Sequence, residues 1–103
     1  EPQPEFKNIL SLAKDLTKKN NSQLFFVYLP EYSRYAKKYD NKNYLLVKEI
    51  VNQLEIPFID IHEELFAKQK YPLKLFPFEL NGHYTVAGYN KVTETIYRLI
   101  RKY

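Results

Sequence analysis

The chain has 103 residues, of which 45% are hydrophobic and 17% aromatic; this supplies the core of one globular domain and excludes a disordered chain. It contains no cysteine, which excludes a disulfide framework, a cysteine nucleophile and a thiolate zinc finger. The net charge of +4 is modest and scattered along both halves, and every apolar run is too short to cross a bilayer, so no transmembrane segment is predicted.

The first third of the chain is predicted to form a helix followed by a strand. Apolar residues recur at three- and four-residue spacing after Pro4, and residues 20–22, Asn-Asn-Ser, end the pattern. These apolar residues are Phe6, Ile9, Leu10, Ala13 and Leu16. The nearly continuous apolar run 24–29, which stops at Pro30, is typical of a strand buried on both faces.

The middle of the chain predicts a strand–helix–strand unit. Residues 31–43 are polar and tyrosine-rich, which favours a functional loop at the carboxyl end of the first strand. Residues 44–54 have helical periodicity, residues 56–61 form a second apolar run, and residues 62–68 suit a short helix. A right-handed crossover then makes the strands parallel, so the predicted class is α/β, a partial three-layer α/β/α arrangement with a short parallel sheet in helix–strand–helix–strand–helix order.

A histidine stands at the start of the last predicted helix. The Pro-interrupted stretch 73–80 indicates a loop that leads into the run Asn81-Gly82-His83-Tyr84-Thr85-Val86-Ala87-Gly88-Tyr89. The amphipathic segment continues to Tyr103 with an expected buried stripe of Tyr89, Val92, Ile96, Leu99 and Ile100. His83 would thus be fixed by a rigid scaffold near the surface, which suits a catalytic base.

Several other residues allow a functional and a structural interpretation. The mixed basic and aromatic segment 32–39, which includes Tyr32, resembles single-strand nucleic-acid binders, but without an RNA-binding motif nucleic acid is not the expected partner; these tyrosines could stack on sugars or simply pack. His62 precedes two glutamates but lacks metal-ligand spacing, so neither a metal nor a cofactor is predicted. Asp60 is expected to start a helix or turn, and Gly88 to allow close helix packing or a tight first turn.

The order of these elements resembles the carboxyl-terminal half of the SGNH, or GDSL-like, serine hydrolase family. The matching features are a strand ending in Pro30, a helix, a second strand at 56–61 and the block Asn81-Gly82-His83-Tyr84-Thr85 followed by Gly88-Tyr89. In the branch that includes polysaccharide O-acetyltransferases and acetylesterases, the block reads Asp-x-His. The resemblance implies an SGNH-hydrolase or flavodoxin-like fold, with residues 1–103 as one domain that forms the carboxyl-terminal part of a larger one.

By this resemblance His83 is the general base that takes a proton from a serine hydroxyl. Asn81 stands at the acidic partner's position, and an amide cannot supply the charge that stabilises an imidazolium; in a serine protease the same change costs roughly 10⁴ in turnover. Either the site is weak or another acid, such as Glu79 or Asp60, supplies the charge. Tyr84 and Tyr32 are the candidate substrate-binding residues.

The family's serine block is absent from the sequence, because Ser11, Ser22 and Ser33 do not follow a strand in a sharp turn. The chain alone is therefore expected to be inactive and to supply its histidine to a serine on upstream sequence. The implied substrates are acyl esters or acetylated carbohydrates, and the resemblance alone suggests the bacterial envelope. The alternative is a catalytically inactive binding or assembly module. The expected partner is the missing amino-terminal half, or a second chain at an exposed strand edge.

Overall fold

The protein is a mixed α/β chain whose main elements follow the predicted helix–strand–helix–strand–helix order. The computed structural model describes residues 3–103. The elements are α1 (Pro4–Lys19), β1 (Phe26–Tyr28), α2 (Ser33–Ala36), α3 (Lys42–Gln53), β2 (Phe58–Asp60), α4 (Ile61–Glu64) and α5 (Val86–Ile100). Three 3₁₀ turns, Phe66–Lys68, Pro72–Leu75 and Pro77–Glu79, link α4 to α5. Within residues 3–103 no helix combines the length and the apolar character that a membrane span requires.

The two strands pair in parallel, which confirms the predicted strand–helix–strand unit. The N–H of Phe26 donates to the carbonyl of Pro57 at 2.9 Å, and the rings of Phe26 and Phe58 stack at 5.6 Å. Pro57 cannot donate, but its carbonyl remains a ladder acceptor. The expectation that the first strand is buried on both faces is wrong, since all of β1 is half-buried. The partner strand β2 is covered more completely, since Ile59 and Asp60, on its opposite faces, are both buried.

The described residues divide into two compact units, the first running up to Phe26 and including Asp40–Phe58. In this unit α1 packs along α3, and Lys7 Nζ donates to Gln53 Oε1 at 3.1 Å. The predicted first helix forms, but only part of its apolar set packs: Ile9 and Leu16 are exposed. The half-buried face of α1 is rotated by one residue, or about 100°, from the face that carries Ile9 and Leu16.

The second unit, Val27–Tyr39 with Ile59–Tyr103, is built around aromatic side chains. Phe66 and Phe76 are fully buried with ring centroids 5.9 Å apart, and Tyr35 stacks on Phe66 at 5.3 Å. Tyr35 lies on α2, in the stretch 31–43 that the sequence predicted to be a loop. That prediction is wrong for this turn because Tyr35 and the buried Arg34 anchor it by packing, which periodicity cannot reveal over four residues.

Helix α5 begins at Val86, three residues after the histidine predicted to open it. Thr85 is the N-cap, and its Oγ1 accepts the N–H of Gly88 at 2.9 Å. The buried stripe consists of Gly88, Val92, Thr95 and Leu99, while Ile96 and Ile100 are half-buried. Tyr89 was expected inside but is 44% exposed, because one residue after Gly88 lies about 100° round the helix.

Gly88 lies where α5 comes close to a preceding turn, as the sequence suggested. A Cβ at this position would lie 3.0 Å from the carbonyl oxygen of Leu75, which already accepts the N–H of Thr85 at 2.7 Å. We therefore expect Gly88→Ala to lower the free energy of unfolding by about 1–3 kcal/mol, measured by urea denaturation, although alanine favours helices. The comparison variant is Ala87→Gly, which changes an exposed residue of the same turn. A Gly88→Ala variant that is more stable than the unchanged protein would contradict the packing argument.

Candidate active-site cleft

One cleft of the second unit is lined by the four residues that the sequence predicted to be catalytic or substrate-binding. It has a volume of about 250 Å³ and is lined by Tyr32, Asn81, His83 and Tyr84, among others. Leu29, Pro30 and Glu31, which follow the carboxyl end of β1, form part of its wall. This is the end of a parallel strand at which α/β proteins commonly bind ligands.

The imidazole of His83 is exposed at this cleft. Gly82 precedes it with φ 158°, a conformation that side-chain-bearing residues rarely adopt, so the glycine permits the turn that presents the ring. Among residues 3–103 neither His83 nor Asn81 makes a side-chain hydrogen bond. The amide of Asn81 therefore lines the same cleft without holding the ring.

Residues 81–84 form the histidine loop, and Tyr84 attaches this loop to the segment that follows β1. Its hydroxyl donates to the carbonyl of Pro30, and its ring lies 5.0 Å from that of Phe66 and 5.4 Å from that of Phe76. Burial raises the pKa of the Tyr84 hydroxyl above the usual tyrosine value, so it remains a donor. Since this hydroxyl is already engaged, Tyr84 can offer a ligand its ring rather than its polar end.

Tyr32 differs from Tyr84 in the state of its hydroxyl group. Its ring packs edge-on against Phe76 at 5.5 Å. Within the described part of the chain its hydroxyl has no hydrogen-bond partner. Tyr32 is half-buried, so it combines a ring held by packing with an available hydroxyl.

Glu31 is a cleft carboxylate that sequence reasoning missed. It lines the cleft with His83, and its Oε1 accepts the hydroxyl of Tyr39 at 2.6 Å. This hydrogen bond, together with burial, raises the pKa of Tyr39. The signal was present in the sequence, because Glu31 follows directly on Pro30 at the carboxyl end of the first strand.

The two acids considered from the sequence lie elsewhere. Asp60 is buried at the start of α4, where its Oδ1 accepts the N–H of Glu63 at 3.0 Å. This is the helix-starting role expected for it. Glu79 is exposed with φ 56° in the turn before the histidine block, and neither acid lines the cleft.

The second histidine belongs to the aromatic core. Nδ1 of His62 lies 2.7 Å from the hydroxyl of Tyr35, and the two rings are 5.7 Å apart. Throughout residues 3–103 no three side chains of His, Cys, Asp or Glu come together as metal ligands would. The contacts of His62 with Tyr35 therefore indicate a structural role in the second unit.

The described lining of the cleft contains no serine. Ser11 lies on α1, Ser22 lies in the connection from α1 to β1, and Ser33 begins α2. The arrangement brings together an exposed imidazole, an amide, a carboxylate and two tyrosines, so it offers groups that can accept a proton and bind a polar ligand. No family model matches the chain, and no curated protein or solved structure is similar enough to count as a match.

Proposed function

We propose that this chain is the carboxyl-terminal portion of an SGNH-like esterase or O-acyltransferase and supplies His83 to a serine on upstream sequence. The observation that carries the proposal is the cleft itself: His83 is exposed there beside Asn81, Tyr32 and Tyr84, at the carboxyl end of β1.

In the proposed reaction His83 acts first as base and then as acid. Its neutral imidazole takes the serine hydroxyl proton as the serine oxygen attacks the acyl carbonyl. The imidazolium returns that proton to the leaving alcohol when the acyl–oxygen bond breaks. Water or an acceptor hydroxyl then repeats the sequence and releases the acyl group. Acyl esters, including acetylated carbohydrates, are the proposed substrates, with sugar rings stacking on Tyr32 and Tyr84.

The proposed reaction needs a negative charge near the imidazolium, and the residue at the family's acidic position does not supply one. Asn81 has the amide where the resembling family has a carboxylate. Glu31 replaces Asp60 and Glu79 as the candidate for this charge, since it is the carboxylate that lines the cleft with His83. A carboxylate in this role stabilises the imidazolium by electrostatic attraction. This attraction acts across a short distance, so the carboxylate need not touch the ring.

The amide at Asn81 and a cleft lining without serine in the described chain also support a second proposal, a catalytically inactive module that binds or assembles. Its partner would be the amino-terminal half of the domain or a second chain at the edge of the two-stranded sheet. Upstream sequence separates the two proposals. A Gly-Asp-Ser-like turn after a predicted strand favours the enzyme, and an upstream segment without such a turn favours the inactive module.

The enzyme proposal predicts that Asn81→Asp in the complete protein raises kcat for a small aryl acetate, by roughly tenfold or more, because it places a charge beside the imidazole. The measurement is the pH profile of kcat, in which the Asn81→Asp variant also shifts the limb assigned to the base. Asn90→Asp, which adds the same charge on the exposed face of α5, is the control. A flat response combined with a loss of activity in Glu31→Gln would assign the charge to Glu31 instead.

A further inference from the structure

Helix α1 carries an apolar stripe that faces solvent. Ile9, Leu12 and Leu16 are 62%, 69% and 62% exposed, respectively. Glu5 and Lys19, both exposed, continue the same line at its two ends. The spacing along this line is four, three, four and three residues, which is the pattern of a helix seam that packs against another helix.

A neighbouring face of α1 already packs within its own unit. Phe6, Leu10 and Ala13 are half-buried, and the Phe6 ring lies edge-on to Phe26 at 6.0 Å. The stripe through Leu12 is offset from this face by one residue, or about 100°. The apolar arc of α1 is thus wider than its own unit covers, and three large aliphatic side chains on one stripe exceed the scattered exposure that needs no explanation.

We propose that this stripe binds the same stripe of a second copy of the chain, with the two α1 helices antiparallel about a two-fold axis. The charge order of the helix supports this occupant, because Glu5 and Lys19 lie at opposite ends of the line. With Leu12 at the axis, Ile9 of one copy meets Leu16 of the other, and Glu5 of each meets Lys19 of the other. The stripe is therefore self-complementary in both shape and charge, as a two-fold contact requires.

This contact rests on α1 alone and is independent of the proposed hydrolase function. A helix of 16 residues is about 24 Å long, so a pair of such helices forms a small interface. Small interfaces of this kind are weak, and we expect a dissociation constant on the order of 10⁻⁴ M. Association at a strand edge, by contrast, would not depend on any residue of the stripe.

The test is sedimentation equilibrium of the 103-residue chain up to about 1 mM, a range set by that expected affinity. We expect a monomer–dimer equilibrium that Leu12→Lys weakens at least about tenfold, because it places like charges at the axis. Leu45→Lys, which changes an exposed leucine of α3, should leave the dimer intact. All these positions are exposed, so folding should persist and is checked by circular dichroism.

Charge exchange provides the sharper arm of the experiment. Glu5→Lys and Lys19→Glu should each weaken the dimer by setting like charges against each other at both ends. The double variant Glu5→Lys/Lys19→Glu should recover most of the affinity, although both changes oppose the helix dipole, so recovery cannot come from a more stable helix. A monomer at every concentration, or a dimer indifferent to Leu12→Lys and to the charge changes, would overturn the proposal.

Discussion

His83→Ala in the complete protein is expected to reduce kcat for a small aryl acetate by about 10²–10⁴-fold, the range that a positioned acid–base group contributes. The imidazole is exposed in the cleft, and in the proposed reaction its removal leaves the serine hydroxyl without its base. The unfolding midpoint should hardly change, because within residues 3–103 the ring makes no hydrogen bond and is not buried. The measurement is steady-state hydrolysis together with urea denaturation.

The other histidine supplies a matched control. His62→Gln removes an imidazole that contacts Tyr35 in the core, so it should lower stability while the folded fraction retains its kcat. We thus expect His83→Ala to lose activity with an unchanged stability, and His62→Gln to lose stability with an unchanged kcat. These two results together separate a chemical role from a structural one. Unchanged kcat in His83→Ala would remove that residue from the mechanism and favour the inactive module.

The main elements could be predicted because their signals are repeated along the chain. Helix α5 repeats its apolar positions over four turns, and the two apolar runs that become β1 and β2 are separated by one helical pattern. The exact bounds depended on single hydrogen bonds instead. The Thr85 cap starts α5 after the histidine, and apolar periodicity does not reveal such a cap.

The cleft could be predicted only in part. Tyr32, Asn81, His83 and Tyr84 were found because they follow a strand or belong to a recognisable block, and those positions converge at the carboxyl end of β1. Glu31 belongs to the predicted functional loop 31–43, but it was not singled out because, apart from its place after Pro30, nothing in the sequence distinguishes it from the other polar residues of that loop. The role of Tyr84 as a clamp was likewise hidden, because it depends on the carbonyl of Pro30, 54 residues away in sequence.

The histidine loop depends on the aromatic core beneath it, and Phe66 is the centre of that core. Its side chain is 0% exposed, and its ring lies 5.0 Å from Tyr84 and 5.3 Å from Tyr35. Phe66→Ala should therefore lower the free energy of unfolding by about 3–5 kcal/mol, through lost burial and a cavity. That is a large part of the 5–15 kcal/mol that stabilises a typical domain. Urea denaturation measures it as a lower midpoint.

Phe78→Ala is the control for this change, since Phe78 is 93% exposed and its loss should alter stability by no more than about 0.5 kcal/mol. Phe66→Leu keeps most of the volume, so it should fold and yet shift the Tyr84 ring that holds the histidine loop. In the complete protein this variant should lose catalytic efficiency beyond its loss of stability, because a small displacement of a catalytic group slows the reaction. Equal stability of Phe66→Ala and Phe78→Ala would mean that this core does not support the cleft.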